Sequence, residues 1–385
     1  MANAIVGVLF TSPETVLDDY ARLMRLVRYD EALLRQHDTI LKLNLSWTLY
    51  FPACSSQPWQ LEGVVRTMLE DGYSPDHLLP VENKTVVTNP IEGARQNKWA
   101  GVLERYGLDF IPLTEVEWIR YEFKAPLLKL PRIFPDGIEI PKMFVGTNVL
   151  HLPTVKTHGH SVTTGAIKNA FGGLLKEVRH YGHEFIHEVL VDLLYMQREL
   201  HTGIFAVMDG TVAGDGAGPR TMRPVVANVI LASNDSVAID AVAAEIMGFD
   251  PLSIPYLAMA QERGLGVADP RQVEIVGDSI EDVNLGFRSE RSLVIRGDQM
   301  LRRGSLRPLK RLALHSPLWV WAPVASTIYH DLLWYPTIGR RRIRQFERTP
   351  WGRLFAQYGI DSSHQGADID ARREGGQRVR THAVE

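Results

Sequence analysis

The sequence predicts an α/β protein, a mostly parallel sheet with helices on both faces arranged as two lobes around a cleft. Three observations predict it. Apolar stretches of strand length alternate with segments of helical periodicity through about residue 280. Polar residues that a core would not select cluster at the carboxyl ends of those strands, where open α/β sheets bind ligands. The densest cluster, residues 151–187, holds six of the 13 histidines together with Lys156, Lys168 and Asn169.

Taken in order, MANAIVGVLF reads as a first strand, without the basic start and cleavage site of a signal peptide. Residues 13–36 space their apolar side chains as a helix. TILKLNLSW is a strand whose end carries Lys42 and Asn44. After an irregular loop, a helix runs from Trp59 to Asp71 and stops at Gly72. LLPVENKTVV, a helix over Ile91–Tyr106 and the strand DFIPLTE continue the alternation. Prolines every few residues over 118–141 mark a β-rich insertion or flap. Val145–Lys156 is the strand that enters the His/Lys cluster, and a helix over 183–200 leaves it. GIFAVMDG is a buried-type strand ending in Asp209, followed by a Gly-rich loop. VVANVILAS delivers Ser233, Asn234 and Asp235. A small-residue helix follows, with Asp240 in its first turns either complementing the helix dipole or serving the site. SIPYLAMAQERGLG is a further helix and VEIVGD a last strand. The expected divisions are a first lobe 1–117, the insertion 118–141, a second lobe 142–298, a helical arm 299–360 and a disordered polar tail 361–385.

Composition narrows the classes. With 42 basic and 45 acidic residues there is no general attraction to nucleic acid. One cysteine, Cys54, excludes an intrachain disulfide and a cysteine-held iron–sulfur cluster and fits a reducing, cytoplasmic compartment. No apolar run is long enough to span a membrane. The arm carries Trp319, Trp321, Trp334 and Trp351 among basic clusters such as Arg340–Arg342. Residues 315–346 therefore suit either a peripheral membrane or lipophilic contact, or docking on the core or on a second subunit of a homo-oligomer.

The strand-end residues make a cationic, donor-rich pocket. Lys42, Asn44, His160, Thr164, Asn169, Asp209, Ser233 and Asp235 are the candidate substrate contacts, and a small anionic molecule is the natural ligand. His158, Lys156 and Lys168 are the candidate catalytic groups: His158 as acid/base, Lys156 orienting the anion, Lys168 holding substrate or cofactor phosphate. The sharpest short motif is His183-Glu184-Phe185-Ile186-His187. Two imidazoles at i and i+4 with an intervening Glu is the zinc-hydrolase pattern. Its third ligand is unmarked, with Glu199 and His201 as candidates. The apolar stripe from Ile186 to Leu194 places the two histidines at its edge, with at least one facing Lys168 and His158.

The segments ILKLNLS (Ile40–Ser46), LPTVKTHGHSVTTGAIKNAFGGLL (Leu152–Leu175), VMDGTVAGDGAGPR (Val207–Arg220) and NVILASNDSVAIDAVAAEIMGFDP (Asn228–Pro251) resemble the successive blocks of the DUF362 family, in the family's order. That family is named for lacking an assigned function. Many of its members carry a ferredoxin-like cluster domain, which a single cysteine cannot furnish here. VKTH (Val155–His158) is also similar to a segment of lactate racemases that use a nickel-pincer nucleotide. In those enzymes the cofactor-bearing Lys follows the His by ten positions, as Lys168 follows His158. A nickel-binding His then corresponds to His183, one position short of the racemase spacing, and Thr163, Thr164 and Gly165 replace the racemases' Gly-rich turn. The cofactor stays open: the racemase resemblance implies nickel, the 183–187 pattern would take zinc, and an iron–sulfur cluster is not expected. The function expected is a DUF362-type cytosolic enzyme transferring a proton or hydride on a small anionic substrate, with oxidoreductase or isomerase chemistry ahead of peptidase chemistry. The alternatives are a metal-dependent hydrolase using 183–187 and a non-catalytic ligand-binding or carrier protein.

Overall fold

The computed structural model describes residues 4–85, 87–290 and 321–359. The expected tail and the beginning of the arm lie outside the described residues. The chain runs β1 (Ala4–Phe10), α1 (Val16–Leu26), α2 (Tyr29–Ala32), β2 (Thr39–Lys42), α3 (Pro58–Glu70), β3 (Leu78–Glu82), α4 (Pro90–Gln96), α5 (Trp99–Arg105) and β4 (Ile111–Pro112). It continues through β5 (Trp118–Tyr121), α6 (Leu130–Ile133), β6 (Ile138–Pro141), β7 (Asn148–His151), β8 (Thr154–His158), β9 (Val162–Thr163), α7 (Ala166–Leu174) and α8 (Ile186–Leu200). β10 (Gly203–Ala217), β11 (Thr221–Ser233), α9 (Ser236–Met247), α10 (Pro255–Glu262) and β12 (Val273–Gly277) complete the sheet region.

One open sheet organises the molecule, in the order β12-β1-β11-β10-β7-β2-β3-β4, with β8 and β9 joined beside β10. The pairs β12–β1, β10–β7, β10–β8, β7–β2, β2–β3 and β3–β4 are parallel, and only the contacts of β11 and the β8–β9 pair are antiparallel. Strands from both expected lobes share this sheet: β1 sits between β11 and β12, and β7 between β2 and β10. Alternation along the strands divides the core. In β10, Phe205 and Val207 join Tyr20, Leu23 and Trp59 of α1 and α3 on one face. Ala206 and Met208 join Ala238, Ile239 and Val242 of α9 on the other, beside the cluster of α7, α8 and α10. The 118–141 insertion forms a separate two-stranded antiparallel sheet, β5–β6.

Four local departures from expectation have physical causes. The helical periodicities of 13–36 and 91–106 each cross a left-handed residue, Arg28 (φ 53°) and Lys98 (φ 61°), so each segment is two helices that bury a common face. The strand over Val145–Lys156 breaks at Leu152-Pro153, where a proline cannot donate to the ladder. The expected Gly-rich loop after Asp209 is strand, because β10 continues to Ala217 paired with β11. Its glycines serve close packing: a Cβ at Gly210 would stand 2.8 Å from Val229 and 2.9 Å from Val155, and one at Gly214 would stand 2.5 Å from Met222. Fourth, α8 begins only at Ile186, after 3-10 turns over Glu177–Phe185.

Candidate functional site

Four parallel strands end on a titratable residue: β2 on Lys42, β3 on Glu82, β7 on His151 and β8 on His158. All are buried. The Lys42 ammonium lies 2.8 Å from a Glu82 carboxylate oxygen and donates to the Leu43 carbonyl at 2.5 Å. The Glu82 carboxylate also accepts the amides of Leu45 and Asn83, both at 2.8 Å. This charge is therefore matched inside the protein. From Lys42 a polar chain crosses the sheet end. Asn169 donates to the Lys42 carbonyl at 2.8 Å and lies 3.5 Å from His151 Nδ1, and His151 Nε2 meets Gln197 Oε1 at 2.6 Å. Asn44 donates to Asn169 at 3.4 Å and accepts from Lys156, whose ammonium also donates to the Cys54 carbonyl at 2.6 Å. Burial brings Lys156 down to about 8.

His158 stands beside this chain. Its Nδ1 accepts from the amides of His160 (3.2 Å) and Ser161 (3.3 Å), which places the proton of the neutral ring on Nε2. Burial holds its pKa well below the usual imidazole range, and the neighbouring charges of Lys168, His160, His183 and Lys156 push the same way. The rings of His158 and His160 are 5.8 Å apart, and those of His160 and His183 5.2 Å apart. Lys168 and His183 both flank Phe171, the ammonium 5.6 Å and the imidazole 5.5 Å from its ring centroid. The floor is buried, while His160, Lys168 and His183 are half-buried and form the rim.

A buried carboxylate positions the helix that carries Lys168 and Asn169. Asp240 of α9 accepts the amides of Ala166 (2.6 Å) and Ile167 (3.2 Å) at the start of α7. Asp240 thus caps a neighbouring helix. Gly172 and Gly173 then let α7 lie against the Lys42–Glu82 pair: a Cβ at Gly173 would stand 3.1 Å from Lys42 Cε.

The remaining candidates are held within the fold. Asp209 accepts from Tyr20 (2.6 Å), Trp59 (3.0 Å) and both the hydroxyl (2.8 Å) and amide (3.2 Å) of Thr211; burial raises it to about 6 while these donors hold it down. The Thr164 hydroxyl bonds the Thr154 and Lys156 carbonyls. Ser233 donates to the Ile5 carbonyl, and Asp235 caps α9 through the amides of Val237 and Ala238. Asp235 also lines a cavity of about 200 Å³ with Asn234, Ser236, Arg198 and Gln197, the partner of His151. Sequence reasoning did not place Glu82, His151 or Gln197 in the site. Only the structure ends strands on Glu82 and His151; in the sequence Glu82 stands beside Asn83 and His151 opens the His/Lys cluster, a signal that could have found them.

His183 and His187 do not share a helical face. His183 lies in the 3-10 turns and meets His160, while His187 stacks at 6.1 Å on Tyr256. In 3-10 geometry residues i and i+4 point roughly a third of a turn apart. The candidate third ligands are engaged elsewhere, Glu199 by the amides of Lys124 and Ala125 and His201 by the Thr147 carbonyl. Among the described residues no three His, Cys, Asp or Glu side chains form a group that could hold a metal ion. Lys168 and His183 are nevertheless brought together at Phe171, the two positions that a Lys-tethered, His-ligated nucleotide would use.

Buried imidazoles give one pH prediction. Burial lowers His151 to about 3 against 6.5 for the free side chain. The unfolded chain therefore binds this proton first, so the stability it contributes is present above pH 6.5 and is lost as pH falls toward 3. His151→Gln keeps a donor toward Gln197 without the titration. Its deficit relative to wild type in urea unfolding should shrink by on the order of a few kcal/mol between about pH 7 and about pH 4. A constant deficit would refute the assignment.

Fold and site define an α/β protein with an open, mostly parallel sheet and a buried Lys/His/Asn chain at its strand ends. The family model described as "Domain of unknown function (DUF362)" matches residues 39–245, more than half of the chain, and the chain belongs to that family. The match runs from β2 to α9 and so includes Lys42, Lys156, His158, Lys168 and Asp240. A thylakoid-associated protein of Synechocystis sp. is 29% identical over 158 residues, 40% of this chain. The matched region spans 47% of that relative's length.

Proposed function

We propose that the chain is an enzyme that binds a small anionic substrate over the strand ends and transfers a proton or hydride. The observation that carries this reading is the convergence around His158 of the Lys156 and Lys168 ammonium groups and the His160 and His183 imidazoles, since the ammonium charges raise the local positive potential. An anion brought among them relieves that repulsion and lets the neutral His158 exchange a proton through its Nε2 side. Lys156 orients the anion and Lys168 holds a substrate or cofactor phosphate. If a nickel-pincer nucleotide is the cofactor, Lys168 and His183 are the residues that would hold it, and the metal would supply hydride chemistry.

The working location we propose is the cytoplasmic side of a membrane surface. The Trp/Arg-rich segment 315–346 and the thylakoid association of the Synechocystis relative support this. Among the described residues no helix is long and apolar enough to cross a membrane.

The test uses inorganic phosphate and lactate as probes. Both should raise the melting temperature of wild type, and the gain should fall as pH rises through about 8, where Lys156 loses its proton. Lys156→Met should flatten that pH dependence. His158→Ala should fold but melt below wild type, because the His160 and Ser161 amides lose their acceptor, while it retains the ligand-induced shift and loses turnover in a racemisation or dehydrogenation screen. Turnover surviving in His158→Ala would refute the acid/base role. Binding without turnover in wild type would make this a carrier, and one equivalent of zinc with peptide hydrolysis abolished by His187→Ala would make it a hydrolase.

A further inference from the structure

The described part of the arm docks with its polarity turned inside out. It is a continuous helical run, Trp321–Thr327, a π-helical stretch Ile328–Gly339 and Arg340–Glu347. Ser326, Asp331 and Tyr335 face the protein, while the hydroxyl residues Thr327 and Thr337 are exposed. The Ser326 hydroxyl accepts from Arg220 (2.8 Å), the Asp331 carboxylate from Trp47 (2.7 Å), and the Tyr335 hydroxyl donates to the Tyr50 carbonyl (2.9 Å). Trp334 is buried among Trp47, Phe51 and Met222. Its outward face carries Val324, Ile328, Leu332, Leu333 and Ile338, with Leu332 65% and Leu333 58% exposed. Between Val324 and Gly339 the only Asp, Glu, Lys or Arg is Asp331, which is turned inward. The exposed Thr337 bonds back to the Leu333 carbonyl at 2.6 Å. Directly after this stretch in the chain Arg340, Arg341, Arg344 and Arg348 are exposed, with Glu347 the one acid among them.

We infer that this face lies in the headgroup region of an anionic lipid bilayer, with the helix in the membrane plane. An apolar stripe without charges has no reason to face water, and a contiguous patch of this kind marks a binding surface. The adjoining guanidinium groups decide what binds. A bilayer supplies hydrocarbon for the leucines and phosphate for the arginines at the same depth, the arrangement of interfacial amphipathic helices. A packed protein surface would satisfy the leucines and leave the arginine row unexplained. The inference rests on the membrane-surface reading above and adds the face, its orientation and the lipid charge. It also places the membrane next to the site: Cys54 packs in the cluster of Trp47 and Trp334, and its carbonyl accepts Lys156.

The full-length protein, floated with vesicles of phosphatidylcholine alone or with added phosphatidylglycerol, tests this. Recovery with the phosphatidylglycerol vesicles should fall with rising salt. It should drop roughly tenfold or more in Leu332→Asp/Leu333→Asp, and Arg340→Gln/Arg341→Gln should lose the salt-sensitive part. Thermal melting shows whether the variants are folded, and Leu332→Gln/Leu333→Gln replaces an aspartate pair that is not. Equal recovery on phosphatidylcholine alone would overturn the anionic-lipid inference and leave the membrane-surface reading standing. No recovery on either vesicle would overturn both. A dimer in light scattering that becomes monomeric in the leucine variant, without flotation, would assign the face to a second copy of the chain.

Discussion

Gly165→Ala should unfold the protein at markedly lower urea concentration, with a loss of about 3–5 kcal/mol. Gly165 precedes α7 at φ 150°, in backbone space that side chains rarely enter. A Cβ there would stand 2.1 Å from one Asp240 carboxylate oxygen, 2.4 Å from its Cγ and 2.6 Å from the other oxygen. Neither partner can give way cheaply. The carboxylate is the cap of α7, and moving it leaves the Ala166 and Ile167 amides buried without acceptors. Asp240→Gly makes the missing space, so the double variant should lose less than the sum of the singles. Additive losses would show that Gly165 is needed for its backbone conformation alone. Two of the sequence blocks, TTGAIKN and NDSVAID, thus meet at this one contact, and it sets where Lys168 and Asn169 stand.

Lys42→Met should cost a similar amount, about 3–5 kcal/mol, because it strands a buried carboxylate. Lys42 and Glu82 are 1% and 3% exposed, and their ion pair lies under the glycine face of α7. Lys42→Met/Glu82→Gln removes both charges and keeps an acceptor for the Leu45 and Asn83 amides. It should therefore be more stable than the single variant in urea unfolding. If Lys42 instead served the ligand, as its strand-end position led us to expect, Lys42→Met would keep wild-type stability and lose the phosphate-induced shift in melting temperature.

These two cases show where reading residues along the chain reaches its limit. The β/α alternation, the parallel sheet and the grouping of Lys156, His158, Lys168 and Asn169 were legible because neighbouring residues encode them: period 2 in the strands, period 3.6 in the helices, and one short strand-turn-helix unit for the site. The break at Arg28 was not, since helices on either side of one left-handed residue keep burying the same face. Nor was the Gly-rich stretch after Asp209, where composition says loop and the nearness of Val155, Val229 and Met222 requires glycine in a strand. The four donors to Asp209 come from positions 20, 59 and 211, and Lys42 takes its counter-charge from a strand forty residues away. Sequence by itself determined which residues could be charged, buried or turned. The tertiary structure decided which of them satisfy one another, because burial makes every polar group find a partner and that partner is chosen by packing across the sheet.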